Sequence, residues 1–211
     1  MRKFRLEKSR PSRNAPASGR ARTPAVLRAL PLLLAASLLG PVLTRAGSIT
    51  LLSGDGLGTT AFTGATNWSN ATVPNSANNY FTAAFGMRSP ADANNYTFAG
   101  HSLTLQNPTT TGYSFIYKGT AGANTYTINN LTNSGGLIRS GAGSGNTCVL
   151  AGTMVVAANS TVTADQSPFI ISANLGGAGT LTNLNPGPQT YGTVTYSGTN
   201  AAFTGGVRLS F

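Results

Sequence analysis

The chain has 211 residues and a formal net charge of +10, but ten of its fourteen lysines and arginines lie at or before Arg45. From Ala46 onward four basic and three acidic residues leave a balance of +1, so this part lacks the basic surface typical of nucleic-acid-binding proteins. One cysteine and one histidine exclude an internal disulfide framework and a histidine–cysteine metal site.

The first 46 residues have the order of a secretory signal. A basic stretch precedes an apolar segment (25–43), and Thr44 and Ala46 place small residues at a cleavage site. The uninterrupted apolar part (29–42) is short for a membrane span. A transmembrane helix or an amphipathic anchor is the alternative. We expect a cleaved signal peptide at residues 1–46, an exported protein, and no stable membrane span after cleavage.

Beyond Ala46 the sequence has the pattern of short strands. Groups of alternating apolar and polar residues, such as Ser102–Gln106 and Thr125–Asn129, are separated by Gly, Asn, Pro or Asp. This alternation predicts half-buried strands, and the separating residues predict turns. The pattern indicates an all-β fold.

Two architectures fit many short strands: an antiparallel β-sandwich, and a right-handed parallel β-helix or solenoid with an N-terminal cap. Three features favour the solenoid. The predicted strands have only three to five residues, asparagines that tolerate a left-handed backbone stand beside turns, and Asn174–Gly179 loosely echoes Asn130–Gly136. We therefore predict the solenoid, with coils of about twenty residues. Thr153–Val156 is expected to stack in parallel on Thr180–Leu184.

Six aromatic residues are concentrated between positions 68 and 98. We expect that these aromatic residues form a small hydrophobic core or cap over the first coil. The alternative is an aromatic platform for sugars, in which Trp68 and Tyr96 are the candidate carbohydrate contacts, because an exposed aromatic ring offers a flat apolar surface beside a polar group.

The other chemically active residues indicate turns and core rather than a catalytic site. Asp55, Asp92 and Asp165 are the only carboxylates after residue 46, and their wide spacing does not predict a catalytic pair. His101 lies between Gly and Ser and is expected in a surface turn, whereas Cys148 lies in an apolar strand and is expected as a buried thiol. The sequence predicts no catalytic residue, no metal site and no cofactor.

Two segments near the C-terminus, Leu175–Thr182 and Thr195–Val207, follow the order of a glycine-flanked strand, a Ser-Gly-x-Asn turn and a Thr-Gly-Gly turn. In this order the two segments resemble the autotransporter-associated β-strand repeat. Upstream, Thr66–Asn70 resembles the module that opens such repeats, and the similarity covers most of Ser48–Phe211. The resemblance implies an exported β-helical protein of a bacterial surface and no catalytic residues to transfer.

The sequence divides into a signal peptide (1–46), an N-terminal capping or opening module (47–100) and solenoid coils (101–211). The expected function is that of an exported, passenger-type structural or adhesin-like surface protein, not an enzyme, with surface or extracellular polysaccharide as a partner. A carbohydrate-binding or polysaccharide-cleaving β-helix is the alternative. Val207–Phe211 is expected to begin a coil whose remainder is missing, which leaves an edge through which copies self-associate.

Overall fold

The computed structural model describes residues 45–54, 61–109, 112–120, 122–141, 146–165, 167–184 and 192–210. Apart from Arg45 and Ala46, the predicted signal peptide lies outside these residues. The strands in chain order are β1 (Gly47–Thr50), β2 (Asn78–Phe81), β3 (Met87–Arg88), β4 (Tyr96–Thr97), β5 (Ser102–Gln106), β6 (Phe115–Tyr117), β7 (Ala123–Ser134), β8 (Leu137–Ser140), β9 (Thr147–Ala158), β10 (Ser160–Ala164), β11 (Phe169–Ile171), β12 (Asn174–Gly177), β13 (Leu181–Leu184), β14 (Val194–Tyr196), β15 (Ala202–Phe203) and β16 (Val207–Ser210).

All pairings between these strands are parallel. The predicted parallel β-solenoid is therefore confirmed, and the antiparallel sandwich is wrong. The only helical element in the described residues is a 3₁₀ turn at Ala65–Asn67. Residues 47–100, the predicted N-terminal module, supply β1 to β4 to the same two sheets as the later coils.

Each complete coil follows three walls. Wall 1 contains β4, the first half of β7, the first half of β9, β11 and β14. Wall 2 contains β1, β2, β5, the second halves of β7 and β9, β12 and β15. Walls 1 and 2 belong to one ten-stranded sheet, and wall 3 is a six-stranded sheet of β3, β6, β8, β10, β13 and β16.

The corner between walls 1 and 2 lies inside two long strands. β7 and β9 have 12 residues each, so the prediction of strands of three to five residues is wrong for this pair. Their pairing shifts register between Ile128 and Leu131, where the sheet turns the corner. Gly152 has a φ of +101° here, and a Cβ at this position would collide with the carbonyl oxygen of Ile128. The corner therefore requires glycine.

Inward-facing side chains form apolar columns that run from coil to coil. Alternate residues of a strand point to opposite sides, so parallel in-register stacking places each inward residue on its neighbour. One wall 2 column is continued through successive pairings by Ile49, Tyr80, Leu103, Leu131, Met154 and Leu175. All but Ile49 are buried. These columns are the hydrophobic core of the solenoid.

The corner asparagines act through their side chains. Three side-chain oxygens accept hydrogen bonds from backbone N–H groups of the next coil: Asn95 from Thr125 at 2.7 Å, Asn159 from Thr180 at 3.0 Å, and Asn174 from Thr199 at 3.2 Å. Among the described non-glycine residues, only Ala71 and Ala83 have positive φ. The expected left-handed asparagines are therefore wrong. The amide side chain instead satisfies donors where the strands are interrupted.

One predicted strand pairing is also wrong. Thr153–Val155 pairs with Asn174–Gly176, whereas Leu181–Asn183 pairs with Ser160–Val162 on wall 3. The reason is that one coil includes a strand on each wall, so the next strand along the chain belongs to a different wall. Strand residues that pair between neighbouring coils lie 21 to 31 positions apart, which is longer than the predicted coil of about twenty residues.

The chain itself covers part of the outer edge of wall 2, at residues 50–52. Leu51 bridges Trp68 in antiparallel fashion, and the N–H of Ser69 donates to the carbonyl oxygen of Thr50 at 2.9 Å. The N–H of Leu52 donates to the carbonyl oxygen of Asn67 at 2.9 Å. Residues 67–69 thus pair with the edge of the first coil that faces away from β2. The expected aromatic cap over the first coil therefore matches the structure.

Candidate functional site

Trp68 does not present a binding surface, so its prediction as a carbohydrate contact is wrong. Its exposed fraction is 0 %, and its indole Nε1 donates to the carbonyl oxygen of Phe62 at 3.1 Å. The ring packs against Tyr80 and Phe98, with centroid distances of 4.8 and 6.4 Å. Burial of the indole face follows from the antiparallel bridge to Leu51, which places Trp68 over the end of the core.

Tyr96 is half-buried, and its ring continues an inward column. It stacks on Tyr126 of the next coil, with centroids 6.2 Å apart and planes at 9°. Its hydroxyl donates to Asp92 Oδ2 at 2.6 Å, which raises the pKa of Tyr96 and lowers the pKa of Asp92. Tyr96 and Trp68 therefore do not form a shared aromatic platform, and only the edge and hydroxyl side of Tyr96 can contribute to a surface.

The described carboxylates have separate partners. Asp92 accepts from Tyr96 and also from the N–H of Asn94 at 2.9 Å, an arrangement that closes a turn. Asp165 lies on wall 3 and accepts from Nε of Arg139 at 2.8 Å in an ion pair between coils. Asp55 lies outside the described residues. Within the described ranges, no group of three or more His, Cys, Asp or Glu side chains could hold a metal ion.

The two remaining single residues lie where the sequence predicted them. His101 is exposed in a bend between β4 and β5. Cys148 is fully buried and unpaired, and burial raises the pKa of its thiol against the opposing effect of hydrogen bonds with Ser140 and Ser167. A buried thiol with a raised pKa is a poor nucleophile, so its surroundings indicate packing rather than catalysis.

The outer side of wall 1 presents outward side chains from one strand, or rung, of each successive coil. We call it the plate and define it by its outward residues, two from each successive rung: Asn95 and Thr97, Thr125 and Thr127, Val149 and Ala151, Ile170 and Ser172, and Thr195 and Ser197. These residues alternate with inward side chains and are half-exposed or exposed. Parallel pairing aligns seven of them in two columns, Thr97–Thr127–Ala151 and Thr125–Val149–Ile170–Thr195. The other three lie immediately beside the paired strands.

The plate is uncharged. Its side chains carry hydroxyl, amide or apolar groups, and none is ionisable. Neighbouring rungs of a sheet lie about 4.8 Å apart, and side chains two residues apart on one face are separated by about 6.6 Å. A flat grid of methyl groups and hydroxyl donors and acceptors suits a flat, uncharged partner that also alternates apolar faces with hydroxyl groups.

The plate was not predicted from the sequence. The available signal was the repeated outward pair, with Thr125 and Thr127 around Tyr126 as the clearest example. This signal is hard to recognise for two reasons. The number of residues from one rung to the next varies along the chain, and Val149 and Ile170 interrupt the hydroxyl pattern. A search for pairs that flank an inward residue at intervals of 21 to 30 positions would have found it.

No protein-family model, no curated protein and no solved structure matches the chain. In the part of the chain that the structure describes, no helix has the length and apolar character needed to cross a membrane.

Proposed function

We propose that this chain is an exported structural and adhesive protein of a bacterial surface, and that the plate is its contact face for neutral polysaccharide. The signal-like order of residues 1–46 and the resemblance to the autotransporter-associated repeat support export and the surface location. The parallel solenoid that the resemblance implies is the fold of the chain.

The observation that carries the adhesive role is the plate itself. A pyranose chain has apolar ring faces and hydroxyl groups at its edges, and the plate offers methyl groups beside hydroxyls in the same plane. Because the rungs are fixed by parallel backbone pairing, the side chains are ordered before contact and lose little freedom on binding. An uncharged surface favours a neutral polysaccharide over an acidic one.

The arrangement of the carboxylates favours binding over cleavage. Glycoside hydrolysis uses two carboxyl groups on opposite sides of the scissile bond. Asp92 is hydrogen-bonded to Tyr96, and Asp165 is paired with Arg139. Each therefore has a local structural partner, and the plate between the corners of wall 1 carries no carboxylate.

The test is retention of the secreted chain on insoluble neutral polysaccharides such as cellulose and chitin, with an acidic polysaccharide in parallel. Thr127→Asp places a charge in the centre of the plate, and we expect at least a tenfold loss of retention. Thr132→Asp is the matched control, because Thr132 faces outward from wall 2 in the same strand. Equal loss in both variants, or no retention of the wild-type chain on any neutral polysaccharide, would contradict the proposal. Release of shortened sugars would favour the cleaving alternative.

Export has its own test. N-terminal sequencing of the secreted protein is expected to begin near Gly47, and a secreted chain that keeps residues 1–28 would contradict the signal peptide.

A further inference from the structure

The basic side chains beyond Ala46 all project from one wall. The sequence has four of them, and each lies on the outer side of wall 3: Arg88 in β3, Lys118 directly after β6, Arg139 in β8 and Arg208 in β16. Asp165 is the one carboxylate on the described part of this wall. Four positive charges against one negative charge leave wall 3 with +3, whereas the plate and the outward residues of wall 2 carry no lysine or arginine.

Strand pairing brings three of these cations together. Arg88 pairs with Ile116, and Ile116 pairs with Arg139, so the two arginines share an outward column two strands apart, at about 9.6 Å. Lys118 lies two residues beyond Ile116, about 6.6 Å along the strand direction. The three cations therefore lie on three sides of Ile116, whose exposed fraction is 4 %.

Contacts within the wall hold these positive groups in place. Nζ of Lys118 donates to the carbonyl oxygen of Gly141 at 2.8 Å. A Cβ added at Gly141 would lie 2.8 Å from Cδ1 of Ile116 and 3.3 Å from Nζ of Lys118, so the glycine leaves room for the ammonium group against the wall. Asp165 accepts from Nε of Arg139 at 2.8 Å, and 35 % of the Arg139 side chain is exposed. The cations are thus ordered before any partner arrives, which lowers the cost of binding.

The placement of the charges suits a linear acidic polysaccharide. With Arg208, the cations follow wall 3 across its six strands, roughly 24 Å along the solenoid axis. Thr161 and Thr182 lie in the outward column of Arg208 and offer hydroxyl groups that can bond to sugars. Among the described outward residues of this wall none is aromatic, so nucleic-acid bases find no stacking surface. Leu184 is its one large, exposed apolar side chain, which is little for insertion into a lipid surface.

We infer that wall 3 binds an acidic polysaccharide that follows the solenoid axis, with carboxylate groups on Arg88, Lys118 and Arg139. Charge complementarity selects this partner, because wall 3 is the wall on which positive charge is concentrated. The chain then has two contact faces of different chemistry, wall 3 for an acidic polymer and the plate for a neutral one. The inference goes beyond the role of the plate and does not depend on it, since it concerns a different wall.

The test is binding of the secreted chain to alginate, in which every sugar carries a carboxylate, over a series of salt concentrations. Dextran is the uncharged comparison. We expect binding at low salt that weakens as salt screens the charges. Replacing both Arg88→Gln and Lys118→Gln should weaken binding about tenfold. Asp165→Asn removes the opposing charge and should strengthen binding, a gain that a folding defect cannot produce.

A second pair of substitutions separates position from net charge. Thr104→Lys and Thr132→Lys place two positive charges on the outer side of wall 2, where these residues pair. Added to the glutamine pair, they restore the net charge but should not restore binding to alginate.

Four results would overturn the inference. These are no binding of the wild-type chain to alginate at low salt, unchanged binding by the glutamine pair, restored binding by the wall 2 lysines, and tighter binding to phosphatidylglycerol vesicles than to alginate. Loss of retention on neutral polysaccharides alone would instead count against the plate.

Discussion

The indole ring of Trp68 meets the ring of Tyr80 edge to face, with centroids 4.8 Å apart and planes at 76°. Tyr80 lies in β2 and belongs to a core column, whereas Trp68 belongs to the segment that pairs with the end of β1. The contact therefore joins this covering segment directly to the core.

Trp68→Ala should lower the free energy of unfolding by about 3–5 kcal/mol, the usual cost of removing a fully buried large aromatic side chain. Urea unfolding followed by circular dichroism measures it. Leu52→Ala is the control on the strand that pairs with this segment, and its exposed side chain should change stability by no more than about 0.5 kcal/mol. Similar losses in the two variants would mean that Trp68 does not close the core.

Gly152→Ala should destabilise the chain by roughly 1–3 kcal/mol, since it combines a positive φ with a collision against the carbonyl oxygen of Ile128. Gly176→Ala is the matched control. Its φ is outside the left-handed range, and an added Cβ would meet its nearest atom at 3.7 Å, in ordinary contact. Thermal unfolding of the two variants should separate them clearly, and an unchanged melting temperature for Gly152→Ala would refute the corner requirement.

Stability should fall as pH rises from about 10 to 12. Burial raises the pKa of Tyr126 to about 12, so the unfolded chain releases this proton near pH 10 while the folded chain keeps it. Fewer protons bound in the unfolded state mean that stability declines with pH across this window, by up to about 1.4 kcal/mol per pH unit for each such tyrosine. Urea titrations at several pH values measure the slope. Tyr126→Phe should make it shallower, and an unchanged slope would contradict this assignment.

Cys148 should react with a thiol reagent only when the chain unfolds. The thiol is buried, and its raised pKa keeps the reactive thiolate scarce at neutral pH. In the secreted chain we expect labelling to be at least a hundredfold slower than that of a Ser197→Cys variant carrying Cys148→Ala, whose new thiol lies on the exposed part of the plate. Comparable rates would show that the core opens near Cys148 in the folded state.

Part of the fold could be predicted because its cause is local. The alternation of apolar and polar residues in Ser102–Gln106 corresponds directly to the alternation of buried and half-exposed side chains in this strand. The apolar residues beside Cys148 in the sequence likewise predict its burial in the core. The pairing of Thr153–Val155 could not be predicted, because it depends on how many residues each corner consumes, and alternation carries no information about corner length.

The candidate site illustrates the same limit. A cluster of aromatic residues in sequence is compatible with a surface platform and with a buried cap. Only the bridge from Leu51 to Trp68 decides between them for the tryptophan. The plate could not be predicted from neighbouring residues in the sequence. Thr127 and Ser172 come to lie on one surface only when the coils stack.

The coil-by-coil pairing also sets how the chain would respond to force. The backbone hydrogen bonds between neighbouring coils run along the solenoid axis. Tension along that axis therefore acts on the hydrogen bonds of one pair of coils at a time and does not shear all pairs together. A coil at an end of a solenoid, paired on one side only, would detach before the coils between two neighbours. Each coil released would free about 21 to 31 residues, or roughly 70 to 110 Å of extended chain. A tethered solenoid of this kind would unfold coil by coil under tension. It would lengthen in steps and dissipate the applied energy while its remaining coils stay folded.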